Sequence, residues 1–275
     1  MGWTRATGAV ALAVACVLAQ AGMSAEDSGG RQGIDAPPGH VFKVIVSGYQ
    51  FRTKETRALQ DDDLENPGML AIDRASTQWK VVEGAAGKSC ESCHGDAAKS
   101  MKGVGAASPK WSERLKKPAT LEQQINICRT GAMQAPAWKF KSGELTDMTA
   151  FLRHQSRGMP VNVQTDGPMT PWFNKGKEIY YTRYGQLDLA CASCHEKNNG
   201  KFMRADFLSQ GQTNGFPTYR LRDQRLIPLH ERFQGCINDV RGIPFEPQSD
   251  EFTALELYVA WRGIGLPVET PAVRN

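Results

Sequence analysis

Six of the seven cysteines in this 275-residue chain are spaced in a way that suits one particular chemistry. Cys90-Glu91-Ser92-Cys93-His94 and Cys191-Ala192-Ser193-Cys194-His195 each set two thiols one helical turn apart with an imidazole beside the second. A further cysteine follows each motif, Cys128 after the first and Cys236 after the second. Two thiols at that spacing can add across the two vinyl groups of a haem, and the adjacent histidine can bind its iron. A zinc ribbon would place its second cysteine pair about 15–20 residues after the first. Here Cys90 and Cys191 are 101 residues apart. A thioredoxin-type motif would need a βαβ setting, which the pattern around neither motif supplies. The motifs predict two covalently bound haem c groups, held by Cys90 and Cys93 and by Cys191 and Cys194, with His94 and His195 as axial ligands.

The second axial position separates an electron carrier from a catalyst. The candidates are Met133, Cys128, Cys236, His154 and His230. Met133 follows Cys128 by five residues, and Arg241, which cannot bind iron, follows Cys236 by five. A ligand common to both motifs is therefore the cysteine. Leu121, Ile125 and Cys128 share one helical face, as do Leu229, Phe233 and Cys236, so each sulfur projects from an apolar stripe. His154 and His230 lie off those faces and read as solvated or structural. The competing expectation is a Cys128–Cys236 disulfide. Thiolate ligation leaves the sulfur deprotonated, which suits a nucleophile or a sulfur carrier. Arg232 sits one turn before Cys236, where the first copy has Gln124. It reads either as a solvated residue of an arginine-rich stretch or as a bidentate contact for an oxyanion.

These residues must be positioned by elements, and the elements come twice. Cys90 to Cys191 is 101 residues, Cys128 to Cys236 is 108, and Gly158 to Gly265 is 107, as expected for a duplicated unit with short insertions. Ahead of the motifs, Ile72, Ala75, Trp79 and Val82 fall on one helical face, and Phe173, Gly176, Tyr180 and Arg183 repeat the spacing less cleanly. After them, Leu145, Met148, Phe151 and Leu152 mirror Phe252, Leu255, Tyr258 and Val259. Thr120 with Gln123 forms a capping box. The expected fold is mainly α, two tandem class I cytochrome c-like domains with an N-terminal extension. The expected boundaries are a signal peptide at 1–25, an extension at 26–70 that wraps the first domain, domain 1 at 71–163 and domain 2 at 164–275. Asn162–Pro171 is read as the linker, and a strand is expected at Val41–Val46.

Arg5, the apolar run Ala9–Ala19 and the small residues at Met23-Ser24-Ala25 resemble a secretory signal, so a periplasmic location is expected and Cys16 would be removed. No other apolar run is long enough for a membrane span. A net charge of +4, with acidic and basic residues interspersed, gives no nucleic-acid footprint.

The residues also resemble the SoxA family of the SoxAX cytochromes of thiosulfate oxidation. The resemblance lies in Ser47-Gly48-Tyr49, the run Gln60-Asp61-Asp62-Asp63-Leu64-Glu65-Asn66-Pro67-Gly68-Met69, both haem motifs, and Arg232 with Cys236. It implies an L-cysteine S-thiosulfotransferase subunit paired with a SoxX-like monohaem cytochrome, joining thiosulfate to a cysteine of a SoxYZ-like carrier, with a soluble cytochrome c as acceptor. It further implies Cys128 and Cys236 as axial ligands, Cys236 as the catalytic cysteine, found as a persulfide in the family, and Arg232 as the substrate-binding residue. The alternatives are a dihaem electron carrier without transferase activity and a dihaem peroxidase.

Overall fold

A computed structural model describes residues 24–275 apart from 28 and 205; residues 1–23 of the expected signal segment, Cys16 among them, lie outside the described residues. The N-terminal extension forms a small antiparallel sheet of β1 (Ser24–Glu26), β2 (Gln32–Asp35) and β3 (Val44–Ile45), so the expected strand shortens to two residues. Helix α1 (Lys54–Asp61) follows, capped by the Thr53 side chain.

The extension does not wrap the first half. The Val46 amide donates to Gln210 Oε1 at 3.0 Å, Arg52 pairs with Asp206, the Ser47 hydroxyl donates to Glu269, and His40 stacks on Trp261 at 5.6 Å. Most of its polar partners belong to the second half, with the Asp63–Arg157 pair the exception that reaches the first.

The first half runs α2 (Met69–Gln78), α3 (Cys90–His94), α4 (Ala97–Ser100), hairpin β4 (Lys110–Ser112)–β5 (Lys117–Ala119), α5 (Leu121–Gly131) and α6 (Gly143–His154). The second repeats this as α7 (Thr170–Tyr181) and α8 (Cys191–His195), a small hairpin β6 (Phe202–Met203)–β7 (Asp206–Phe207), then β8 (Thr218–Arg220)–β9 (Arg225–Ile227), α9 (Leu229–Asp239) and α10 (Asp250–Trp261). Strand β10 (Ala272–Arg274) closes the chain against β8. Even the hairpin turns match, with Lys116 at φ 53° and Gln224 at φ 51°.

Each half has its own core. Ile72, Ala75, Trp79, Leu145, Met148 and Leu152 pack together in the first. Ile179, Tyr180, Phe252, Leu255, Tyr258 and Val259 do so in the second. Two expected face residues leave the pattern: Val82, past the end of α2, is 63% exposed, and Arg183, past α7, points to solvent. Helix α7 crosses α10 so closely that a Cβ on Gly176 would lie 1.9 Å from the Ala254 carbonyl oxygen. Only glycine permits that approach. Helix α10 is buried all round from Phe252 to Ala260, as a central helix must be.

The segment read as a linker is packed rather than free. Val161, Val163 and Met169 join Leu257, Ala260 and Val268 in a third apolar cluster between the halves. There the equivalent segments Gly158–Val161 and Gly265–Val268 pair with each other through four backbone hydrogen bonds of 2.9 Å.

Candidate functional site: two cysteine–histidine motifs

Both motifs form one-turn helices, entered through matching contacts. The Ser89 amide donates to Ser92 Oγ at 3.0 Å and the Ala190 amide to Ser193 Oγ at 3.1 Å. Before each lies a tight turn, Gly84–Lys88 and Gly185–Leu189, seated on the chain that leaves the cysteine helix. The Ala85 and Ala86 amides donate to the carbonyls of Gln134 and Met133; those of Gln186 and Leu187 donate to Arg241 and Val240. This pairing corrects the alignment read from spacing alone. Met133 corresponds to Val240, and Arg241 to Gln134, both at positive φ. One residue is missing after Cys236, and valine can no more bind iron than arginine, so Met133 still has no counterpart.

Cys128 and Cys236 project from α5 and α9 towards their motifs. Burial pushes the Cys90 thiol up, with Cys128 adding to the shift. Burial, with Cys236 next, takes Cys191 to about 12, and the same two causes raise Cys194. All six cysteines among the described residues are free, so the Cys128–Cys236 disulfide is not formed.

The histidines are held differently. His94 packs its ring against Trp79 at 5.8 Å, and the Trp79 indole donates to the Gly95 carbonyl at 2.9 Å. His195 has Nδ1 2.9 Å from the Ser209 carbonyl oxygen, which fixes the tautomer and leaves Nε2 as the nitrogen open to a metal. A Cβ on Gly211 would touch the same ring at 2.8 Å. Burial pushes the His195 pKa down to about 4 against the pull of that carbonyl, with Arg232 and Arg262 adding to the fall. The imidazole is thus neutral and able to bind a metal. Paired thiols on one turn, an oriented imidazole and a facing cysteine suit a haem c at each motif.

The surroundings of Cys128 and Cys236 diverge in one respect. In the first copy, Gln124 Nε2 lies 3.7 Å from Cys128 Sγ. In the second, the matching residue is Arg232, whose guanidinium is raised above its ordinary pKa, chiefly by Cys236. The acids nearest to it are taken elsewhere: Asp206 pairs with Arg52, and Asp239 with Arg204 at 3.2 Å. Among the described residues, Arg232 has no carboxylate partner.

The two remaining histidines among the ligand candidates make structural contacts. His154 Nδ1 meets the Thr270 carbonyl at 3.1 Å, and His230 accepts from the Gln248 amide at 2.9 Å. Arg262 was not singled out by its sequence. It is fully buried behind His195, pairs with Glu196 at 2.6 Å and stacks over Tyr180 at 4.5 Å. Its only sequence signal is an arginine just past the end of a mostly apolar helix.

Residues 74–161 match the family model described as SoxA/TsdA, cytochrome c domain. The L-cysteine S-thiosulfotransferase subunit SoxA of Pseudaminobacter salicylatoxidans is 54% identical over 87% of this chain and 84% of its own length. That of Rhodovulum sulfidophilum is 53% identical over 86% and 84%. A solved structure, the crystal structure of SoxXA from P. pantotrophus, superposes with a TM-score of 0.84 at 45% identity, covering 93% of this chain and 99% of the matched one. Among the described residues no helix is long and apolar enough to cross a membrane. With its cytochrome c domain and identities above one half across most of its length, this chain belongs to the SoxA family.

Proposed function

We propose that this chain is the L-cysteine S-thiosulfotransferase subunit of a SoxAX-type complex, built from an extension at 26–70 and two cytochrome c units at 71–163 and 164–275. It is exported to the periplasm after removal of residues 1–25. It pairs with a SoxX-like monohaem cytochrome, acts on thiosulfate and a SoxYZ-like carrier, and passes electrons to a soluble cytochrome c. Cys90, Cys93, His94 and Cys128 hold the first haem, and Cys191, Cys194, His195 and Cys236 the second. Cys236 is also the catalytic sulfur, with Arg232 binding substrate.

The observation that carries this reading is the half-buried Arg232 guanidinium beside Cys236 without a carboxylate of its own. A simple electron carrier has no use for an anion site, and the other copy has glutamine there. The sulfonate end of thiosulfate binds Arg232 and presents the outer sulfur to the Cys236 thiolate. The two sulfurs bond and release two electrons, leaving Cys236 joined through sulfur to the sulfonate. The haems, when bound, supply the one-electron acceptors for this pair. The carrier thiolate then attacks the sulfur bonded to Cys236, and the Cys236 thiolate leaves, as in disulfide exchange. The carrier gains a thiosulfonate group and the enzyme thiolate is regenerated.

The test is steady-state kinetics of Arg232→Gln in the assembled complex with carrier and cytochrome c. Losing one charged hydrogen-bond contact costs about 1.5–3 kcal/mol, a tenfold to hundredfold fall in kcat/KM for thiosulfate. Unchanged kcat/KM would remove Arg232 from the site.

A further inference from the structure

Where the two halves meet, four ionisable side chains are buried together away from both haem motifs. Glu122 on α5, Arg153 on α6, His230 on α9 and Glu256 on α10 are each less than a tenth exposed; Glu122, Arg153 and Glu256 line a small cavity with Thr149 and Thr213, and His230 meets Glu256 behind it. His230 Nε2 lies 3.0 Å from Glu256 Oε2. The cluster follows the duplication: Glu122 and His230 occupy equivalent places, 108 residues apart, six residues before Cys128 and Cys236 respectively.

One arginine faces two carboxylates, so with both ionised and the imidazole neutral the cluster carries an uncompensated buried charge. Such a charge is costly, and the usual relief is to take up a proton. The imidazole is not the place for it. Its Nδ1 already accepts from the Gln248 amide at 2.9 Å, so a hydrogen on Nδ1 would oppose that N–H. Gln248 is pinned from the other half as well, since its carbonyl accepts from Gln123 Nε2 at 2.9 Å and its φ is 63°. No other titratable group faces the cluster from α5, α6, α9, α10 or the Thr213–Pro217 segment that lines the cavity.

We propose that Glu122, Arg153, His230 and Glu256 form one proton-holding site at the seam, with the proton on Glu122, and that the site positions the helix carrying Arg232 and Cys236. Glu122 is a positioning residue. Protonated, it leaves Glu256 free to face both Arg153 and the Nε2–H of His230, which anchors α9 two residues before Arg232. Burial raises the Glu122 carboxyl, with the charge of Glu256 next and His230 opposing. A raised acid pKa means that the folded state holds a proton which the unfolded chain releases. Stability therefore falls as pH rises from the ordinary carboxylate range through the raised value. The site stands whether or not the chain transfers thiosulfate.

The test uses the holoprotein complex. Infrared difference spectra should show a carboxylic acid band at neutral pH that shifts in deuterated water, is lost as pH rises, and is missing from Glu122→Gln. Over the same pH range, the electron paramagnetic resonance signal of the second haem should change in wild type and stay constant in Glu122→Gln, which mimics the protonated acid. If Glu122→Gln does not assemble, wild type alone decides, because absence of any protonated carboxyl at neutral pH overturns the proposal. A band that survives in Glu122→Gln overturns it too, as does a second-haem signal with the same pH dependence in both proteins.

Discussion

The two haem motifs share one design but not one set of supports. Around the first, the histidine leans on Trp79 and the sulfur of Cys128 meets an uncharged amide. Around the second, the histidine is fixed through Ser209 and Gly211, a fully buried Arg262 paired with Glu196 lies behind it, and the cysteine faces Arg232. The extra length of the second copy falls between His195 and the β8–β9 hairpin, where β6–β7 brings Arg204 and Asp206 to pair with Asp239 and Arg52. Those pairings leave Arg232 as the charge without a carboxylate. The difference teaches that two copies of one frame can diverge through a handful of substitutions, which leave one cysteine beside an uncharged amide and the other beside an arginine without a carboxylate.

Three substitutions sharpen that contrast. The largest effect is expected at Arg262→Gln, which introduces the residue type found at the matching position, Gln155. Removing one partner of a buried ion pair costs about 3–5 kcal/mol. The melting temperature of the holoprotein should fall by several degrees, and the second haem should be loaded less completely than the first, as read by intact mass. Equal loading would mean that Arg262 serves the whole fold rather than one site. Next is Gly211→Ala, which places a methyl group against the His195 ring at a φ of 78°. A left-handed alanine alone costs roughly 1–2 kcal/mol, and the ring must tilt, so the second haem's resonance signal should broaden while the first is unchanged. The smallest is Ser89→Ala. Ser89 caps α3, accepting from the Ser92 amide at 3.0 Å, whereas Ala190 gives α8 no such bond. The loss should be about 1 kcal/mol in chemical denaturation, within the usual range for a cap.

Much of this was legible in the sequence because it is local. Helical periodicity found the faces bearing Cys128 and Cys236, and Thr120 with Gln123 does form a capping box. The duplication was visible from cysteine spacing alone. What the sequence hid is long-range. Nothing in a one-dimensional pattern says that the Ser209 carbonyl will reach His195, or that Arg52 will take Asp206 away from Arg232. The extension was assigned to the wrong half because apolar content tells that a segment must pack, not on what. The Met133 register slipped by one because a single-residue deletion after a helix leaves the periodicity intact and shows only in backbone pairing. His230 was read as structural, but its partners Gln248 and Glu256 come from a loop and a helix that no spacing rule connects.

The most direct test of the account is the mass of the carrier subunit after reaction with thiosulfate, oxidised cytochrome c and the assembled complex, comparing wild type, Cys236→Ala and Cys128→Ala. The account predicts a thiosulfonate mass added by wild type and by Cys128→Ala, and none by Cys236→Ala. Modification by Cys236→Ala at the wild-type rate would contradict it, placing the reacting sulfur elsewhere. A carrier left unmodified by wild type, with both haems present and reducible, would make the chain an electron carrier.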